Sequence, residues 1–272
     1  MDPTKLAVGA GVAVLVGGGG YGISALFNGD VTPNYEILKE DPKFSSDYSD
    51  ANKVGKLYGN YLIAPYGSRG KENTGDTTKS NNKDWWEWSY ARWKKDFDDA
   101  AIRSTLSDEF KDETKVKPAF SGTVVTGTGA KPLNQVCEEV YKKQKTDVYH
   151  SSDVKKASLW NDMWKYCSFF DTPLTIVEKS AHRYTGNQYG AIKKSDLVSV
   201  EDKNNSAFWD VRNSEFYAPN GDKSGTTVTT GIFHTEKAKN THIKSICEDA
   251  YTKSSSDSGY AEADVVKFCS LG

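Results

Sequence analysis

The amino-acid sequence predicts a mainly α-helical fold, or an α+β fold with short strands, built by tandem duplication of a module that ends in a disulfide-stapled helical hairpin. Three observations predict it. Short blocks of sequence recur in one order in the two halves of the chain, apolar residues recur at helical spacing, and the four cysteines occupy matched positions. Ordered recurrence of this kind indicates a duplicated unit. Both copies keep residues suited to packing and cross-linking.

The recurring blocks share their order and spacing. Six residues recur at an ungapped spacing, so that Tyr61, Tyr66, Gly67, Asn81, Asn82 and Trp86 match Tyr184, Tyr189, Gly190, Asn204, Asn205 and Trp209. Farther along, residues 121–126, 137–141 and 162–168 match residues 224–229, 247–251 and 264–270. The Ser-Gly-Thr-x-Val-Thr pattern of the first of these blocks is typical of short strands or extended connectors. We therefore place the two modules at residues 58–170 and 181–272.

Each copy contains two predicted amphipathic helices that carry its cysteines. In the first helix, apolar residues fall at i, i+3, i+4, i+7 and i+8, the stripe of a helix with one buried face. The stripes are Leu133, Val136, Cys137, Val140 and Tyr141 in one copy, and Ile243, Ile246, Cys247, Ala250 and Tyr251 in the other. The second helix has Trp160, Met163, Trp164 and Cys167 in one copy, and Val265, Val266 and Cys269 in the other. An antiparallel hairpin brings the start of the first helix to the end of the second.

This hairpin predicts one disulfide between Cys137 and Cys167 and another between Cys247 and Cys269. Four cysteines allow three pairings, and the duplication selects this one. Closing loops of this size stabilises a fold by roughly 3 to 4 kcal/mol in the chain-entropy model, and disulfides indicate an oxidising, extracytoplasmic compartment. The alternative is buried, reduced cysteines that pack as small hydrophobes. A zinc site is disfavoured, because the thiols do not form C-x-x-C pairs and no histidine occupies a repeated position.

The first 27 residues predict a transmembrane anchor. Residues 6–27 carry no charge, and about 20 apolar residues span a bilayer. A cleaved signal peptide is the competing interpretation, although its apolar region has only about 7 to 15 residues and no A-x-A site follows here. The glycine-rich span permits close helix approach and hence oligomerisation. Residues 28–57 are polar and contain Pro33 and Pro42, which predicts a stalk.

An aromatic cluster follows a polar segment in the first module. Four of its rings have helical spacing and are expected to cover a core: Trp86, Tyr90, Trp93 and Phe97. Trp85 and Trp88 fall off that stripe, and they are the candidates for an exposed contact surface because Trp is enriched at interaction hot spots. Residues 67–83, rich in Gly, Ser, Thr, Asn and Lys, predict an exposed loop.

Composition and motifs favour a non-catalytic protein. The net charge of -2 gives no reason to expect nucleic acid as a partner. The sequence has no H-E-x-x-H, G-x-S-x-G, G-x-G-x-x-G or C-x-x-C motif, the patterns that mark common zinc, nucleophile, dinucleotide and redox sites. We therefore expect no catalytic residue, no cofactor and no bound metal, and an unrecognised hydrolase is the least favoured alternative.

Three features together resemble a known group of proteins: the glycine-rich N-terminal segment, the C-E-[ED]-x-Y helix and the D-x-x-K-[YF]-C-S signature near residues 162–168 and 264–270. They are similar to the large paralogous families of uncharacterised proteins in haemotropic mycoplasmas. The resemblance implies a membrane-anchored, surface-exposed protein for antigenic display or for contact with a host or partner protein. We expect a single-pass protein held in the lipid bilayer by residues 6–27, with its main region extracytoplasmic. A structural or assembly component of the membrane is the alternative.

Overall fold

The structure of the protein is a computed structural model that describes residues 33, 35–67, 82–149, 153–170, 172, 174–180 and 183–272. Helices dominate these residues, and β-structure within them is limited to isolated bridges that form no sheet. The prediction of a mainly α-helical fold is confirmed. The helices are α1 (Phe44–Asp47), α2 (Val54–Tyr58), α3 (Lys83–Asp98), α4 (Ala100–Arg103), α5 (Leu133–Tyr141), α6 (Lys145–Val148), α7 (Val154–Cys167), α8 (Val177–Ser180), α9 (Tyr189–Ile192), α10 (Ser206–Tyr217), α11 (Gly231–Ala238), α12 (Ile243–Tyr251) and α13 (Glu262–Cys269). Short 3₁₀ turns lie at Leu38–Glu40, Lys203–Asn205 and Gly225–Thr227.

The chain folds as a first half, residues 35–170, and a second half, residues 174–272. In the first half α3, α5 and α7 pack on one another, and α2 packs on α5. In the second half α12 packs on α10 and α13, and α9 packs on α12. The predicted stripes explain this packing, because α5 and α12 begin and end at the residues where their apolar periodicity begins and ends.

A buried asparagine joins two extended segments to the start of α3. Asn82 donates from Nδ2 to the carbonyl oxygens of Ala64 and Glu36, at 2.7 and 2.9 Å, and accepts from the Glu36 amide at 2.8 Å. The indole Nε1 of Trp86, one turn into the helix, donates to the same Ala64 carbonyl at 3.3 Å. These bonds satisfy backbone groups that burial would otherwise leave unpaired.

The second half repeats this arrangement at the start of α10. Asn205 donates from Nδ2 to the carbonyl oxygens of Ser199 and Thr175, at 2.8 and 2.6 Å, and accepts from the Thr175 amide at 2.9 Å. Trp209 Nε1 donates to the Ser199 carbonyl at 3.1 Å. The matched residues Asn82 and Asn205 therefore make the same pattern of hydrogen bonds in the two halves.

Three other predicted matches between the halves pair residues that are not structurally equivalent. In the second half the ring of Tyr184 lies against Gly190, where a Cβ atom would meet it at 2.3 Å, and in the first half the ring of Tyr48 lies against Gly55 at 2.4 Å. The equivalents of Tyr184 and Gly190 are thus Tyr48 and Gly55. The predicted matches of Tyr61, Tyr66 and Gly67 with Tyr184, Tyr189 and Gly190 are wrong.

These matches are wrong because the connection that leads to α3 is longer than the one that leads to α10. Eighteen positions separate Ala64 from Asn82, whereas six separate their counterparts Ser199 and Asn205. An ungapped match that crosses this difference pairs residues that are not equivalent. The first half therefore carries a longer connection on the frame that the two halves share.

The predicted stalk at residues 28–57 is wrong from residue 35 onward. Five apolar side chains in this segment are buried in the core of the first half: Tyr35, Leu38, Phe44, Tyr48 and Val54. Their spacing has no helical period, because Leu38, Phe44 and Val54 lie on a 3₁₀ turn and two separate short helices, while Tyr35 and Tyr48 lie outside these elements. The first half accordingly begins near residue 35, earlier than the predicted boundary at residue 58.

Two predicted segments lie outside the described residues. They are the membrane span at residues 6–27 and most of the loop at 67–83, including Asn81. Within the part of the chain that the structure describes, no helix is long and apolar enough to cross a bilayer.

The Ser-Gly-Thr-x-Val-Thr blocks differ in their surroundings. The first is an extended connector fixed to α5, where Gln135 donates from Nε2 to the Thr123 carbonyl at 2.7 Å. The second contains the 3₁₀ turn Gly225–Thr227 and lies against α13, where Lys267 donates to the Ser224 carbonyl at 3.2 Å. Neither block forms a strand.

Candidate functional site

Both predicted disulfides are present. Cys137 is bonded to Cys167 and Cys247 to Cys269, and each pair of Cα atoms is 5.7 Å apart. All four cysteines are fully buried. Each bond joins the first turns of one helix to the last residue of its partner, as the antiparallel hairpin requires. The pairing uses every thiol in the chain.

A buried tyrosine one turn beyond the first cysteine of each disulfide contacts the carbonyl oxygen of the second cysteine. The hydroxyl of Tyr141 lies 2.8 Å from the Cys167 carbonyl oxygen and 3.0 Å from that of Ile63. Burial in apolar surroundings raises the pKa of this hydroxyl well above its ordinary value. The group therefore stays protonated and acts as a hydrogen-bond donor to the helix end.

Tyr251 has the same position in the second half. Its hydroxyl lies 3.1 Å from the Cys269 carbonyl oxygen and 2.8 Å from that of Val198, and burial raises its pKa in the same way. The motif C-E-[ED]-x-Y thus has a structural explanation. Its cysteine forms the disulfide, and its tyrosine places the single proton of its hydroxyl between two buried carbonyl oxygens.

Arg212 is a buried charge that no motif in the sequence predicts. Its side chain is fully buried on α10. It donates to Glu215 Oε2 at 3.0 Å, to the Phe268 carbonyl at 2.8 Å and to the Tyr61 hydroxyl, and it lies 4.9 Å from the Phe208 ring centroid. Its helical spacing from the apolar Phe208 was the available signal, since residues four apart share a helix face.

The candidate contact residues Trp85 and Trp88 differ in burial. Trp85 is fully buried against Trp86 and Tyr35, with ring centroids at 4.8 and 6.4 Å, so its assignment to an exposed surface is wrong. Trp88 is half-buried, and the guanidinium of Arg92 stacks 4.1 Å from its ring centroid. The prediction is wrong for Trp85 because the segment near Tyr35, which the sequence predicts to be a stalk, covers that face of α3.

A cavity lined by residues of both halves lies between them. It has a volume of about 200 Å³. Its wall is mainly apolar and aromatic, and includes Leu57, Tyr58, Tyr149, Trp160, Ile176 and Leu271. Two polar contacts close its rim: Lys145 pairs with Asp196 at 3.0 Å, and Tyr149 donates to Glu178 at 3.0 Å.

The chemistry of this cavity suits binding rather than proton transfer. Burial raises the pKa of Tyr58 and of Tyr149 above the ordinary tyrosine value, and the nearby Glu178 carboxylate adds to the shift of Tyr149. Both hydroxyls are therefore neutral at physiological pH. A small apolar group fits the wall, while the charged rim groups are already paired with each other.

The histidines have ordinary structural roles where the structure describes them. His242 caps α12 by accepting from the Lys244 amide at 3.2 Å, and His234 Nδ1 lies 3.0 Å from the Val228 carbonyl oxygen. His150 and His182 lie outside the described residues. The described part of the chain holds no group of three or more His, Cys, Asp or Glu side chains placed to bind a metal ion. No protein family, curated protein or solved structure matches the chain.

Proposed function

We propose that this chain is a non-catalytic, membrane-anchored surface protein that presents two disulfide-stapled halves outside the cytoplasm for contact with a host or partner protein. One observation carries the proposal: all four cysteines are consumed in two buried disulfides. Such bonds persist in oxidising compartments and are rare where thiols are kept reduced. The uncharged residues 6–27 supply the anchor.

The two halves support the idea of a duplicated display unit. Each contains a cysteine hairpin, a tyrosine bonded to the helix end, and an asparagine that joins two extended segments. Tandem duplication is the economical origin of this recurrence. In this proposal the shared frame is the scaffold, and the segments that differ in length carry the contact function.

The surface proposed for contact is centred on Trp88. It is the half-buried tryptophan of α3 and is stacked on the guanidinium of Arg92; Trp and Arg are both enriched at interaction hot spots. It lies about 9 Å along the helix axis from the residue where the long connection ends, at 1.5 Å per residue. Loops on a rigid scaffold commonly carry binding function, and the sequence of residues 67–83 predicts such a loop.

Protease treatment of intact cells tests display. Trypsin is expected to cut after Arg69, Lys71 or Lys79 and to leave a disulfide-held body of the protein on the cell. A variant with these three residues replaced by Gln is the matched control, because its remaining tryptic sites lie in the folded halves or near the membrane. Protection of the unaltered chain on intact cells, with cleavage after permeabilisation, would favour an inward-facing structural component of the membrane.

Mapping of the cysteines in the native membrane tests the compartment. Non-reduced peptides from the full chain are expected to contain Cys137 linked to Cys167 and Cys247 linked to Cys269. Free thiols in protein extracted with an alkylating agent present throughout would contradict the surface assignment. The hydrolase alternative would require turnover of a substrate that binds between the halves, and loss of that turnover on replacing Tyr149 with Phe.

A further inference from the structure

A second cavity at the junction of the halves collects positive charge. It has a volume of about 240 Å³. Its charged and polar wall residues are Lys39, Lys56, Asn60, Asp222 and Lys223. The first three of these come from the first half and the last two from the second. The cavity exists as a unit only because the halves pack together.

The charges in this cavity do not balance. Lys39 pairs with Asp222 at 2.7 Å, which accounts for the one carboxylate of the wall. Lys56 has its ammonium 5.2 Å from the Phe44 ring centroid, and neither it nor Lys223 has a carboxylate within 4 Å in the described part of the chain. The Lys223 ammonium carries three donors and makes one hydrogen bond, to the Lys267 carbonyl oxygen at 2.9 Å.

The surroundings of Lys223 disfavour its charge. Burial, together with the nearby positive charge of Arg212, lowers the pKa of the Lys223 ammonium to about 7. The charged groups around it from each packed element are Lys39, Lys56, Arg212, Glu215, Asp222 and Lys267. An anion in the cavity would reverse this effect, since an opposite charge within about 4 to 6 Å favours the protonated amine.

We propose that this cavity binds a tetrahedral oxyanion, sulfate or phosphate, free or as a monoester, between Lys56, Lys223 and the side-chain amide of Asn60. Lysine is a common point-charge ligand of such groups. The volume accommodates one oxyanion and the first atoms of an ester chain. The site goes beyond the proposed surface function and does not depend on it.

Calorimetric titration of the full chain in non-ionic detergent tests the site, with sodium sulfate as the probe because its charge is constant near neutrality. We expect saturable binding of one sulfate at pH 6. Affinity should fall by up to about tenfold at pH 8 at fixed ionic strength, because Lys223 then loses its proton.

Single substitutions test whether sulfate binds in this cavity and not elsewhere on the protein. K56M and K223M are expected to weaken sulfate binding, and D222N to strengthen it by releasing Lys39 and removing the competing carboxylate. K203M, on an exposed lysine of the 3₁₀ turn before α10, is the matched control and should bind as the unaltered chain does. If K223M fails to fold, K56M and D222N, which alter exposed residues, still test whether the cavity binds sulfate.

The proposal is overturned if sulfate does not bind at either pH, or if K56M and D222N bind as K203M does. A second titration with glucose 6-sulfate separates the two sources of the anion. Tighter binding than inorganic sulfate would assign a sulfated sugar as the ligand, and equal binding would assign a free anion.

Discussion

The hydroxyl group of Tyr61 in the first half accepts a hydrogen bond from the guanidinium group of Arg212 in the second half. Both side chains are buried in the core that the halves share. Arg212 also binds Glu215 and the carbonyl oxygen of Phe268, the residue before a disulfide cysteine. A buried charge must be paired and hydrogen-bonded to be tolerated, so the position of one half is specified by a polar contact with the other.

Replacing Arg212 with Met is expected to lower the free energy of unfolding by about 3 to 5 kcal/mol, because it leaves Glu215 and a buried carbonyl group without their partner. Tyr61→Phe removes one acceptor and should cost about 1 to 3 kcal/mol. Urea unfolding of both variants and of the double variant measures the coupling. Strictly additive losses would show that the two side chains do not act together.

Tyr141→Phe and Tyr251→Phe are expected to have similar effects, since each removes a hydroxyl from between two buried carbonyl groups. Each should lower the free energy of unfolding by about 1 to 3 kcal/mol. Thermal and urea unfolding provide the measurement. Tyr217→Phe, where a half-buried hydroxyl donates to one carbonyl oxygen, is the control and should cost less. A negligible loss at either position would contradict the proposed anchoring role.

The two disulfides should contribute similarly to stability, because their cysteines are 30 and 22 residues apart. In the chain-entropy model, replacing either pair with serine is expected to cost about 3 to 4 kcal/mol. Two double variants test this prediction. One carries Cys137→Ser and Cys167→Ser, the other carries Cys247→Ser and Cys269→Ser, and urea unfolding compares their stabilities. Loss of the whole fold from one paired variant alone would indicate that this half nucleates the other.

Trp85→Ala and Trp88→Ala should distinguish a side chain that packs in the core from one that contacts a binding partner. Trp85 is fully buried, and truncation of such a side chain costs about 3 to 5 kcal/mol. Trp88 is half-buried beside Arg92, so its loss should cost only about 1 kcal/mol. If Trp88 belongs to a contact surface, Trp88→Ala will reduce binding of intact cells to the host surface while unfolding changes little. Equal destabilisation by both variants would count against that role.

Asp162 should make stability fall as pH rises toward neutrality. Burial raises the pKa of its carboxyl group from 3.8 to about 7, against the smaller effect of the hydrogen bond from the Ser107 amide at 2.6 Å. The folded chain therefore binds more protons than the unfolded chain between these pH values, and the free energy of unfolding decreases across that window.

Asp162→Asn keeps an acceptor for the Ser107 amide and removes the titration. Relative to the unaltered chain, this variant should gain up to about 4 kcal/mol of stability between pH 4 and pH 8, at 1.36 kcal/mol per pKa unit. Urea unfolding at several pH values measures the difference. A difference that stays constant with pH would show that Asp162 titrates normally in the folded chain.

Local sequence carried enough information for the cysteine helices. The apolar stripe from Leu133 to Tyr141 defines both ends of α5, and the stripe ending at Cys167 places the second thiol on the same buried side. Helical periodicity is a local property, so it can be recognised without knowing which elements the helix packs against. The recurrence of the sequence blocks then selected one cysteine pairing out of the three possible.

Local sequence failed where burial depended on distant segments. Trp85 lies off the apolar stripe of α3, yet it is covered by Tyr35 from about 50 positions away. Tyr48 packs on Gly55 without any helical period to predict it. Short helices linked by turns give side chains directions that no single periodicity describes.

The sequence by itself determined the helical class, the amphipathic hairpins and the disulfide pairing, because each follows from the spacing of residues along one element or from its repetition. Only the tertiary structure decided that the apolar side chains of residues 35–57 pack into the core, that Tyr48 rather than Tyr61 is the counterpart of Tyr184, and that Arg212 is buried. These facts depend on which surfaces meet. A charged or aromatic side chain is stable in the interior only when another part of the chain supplies its partners.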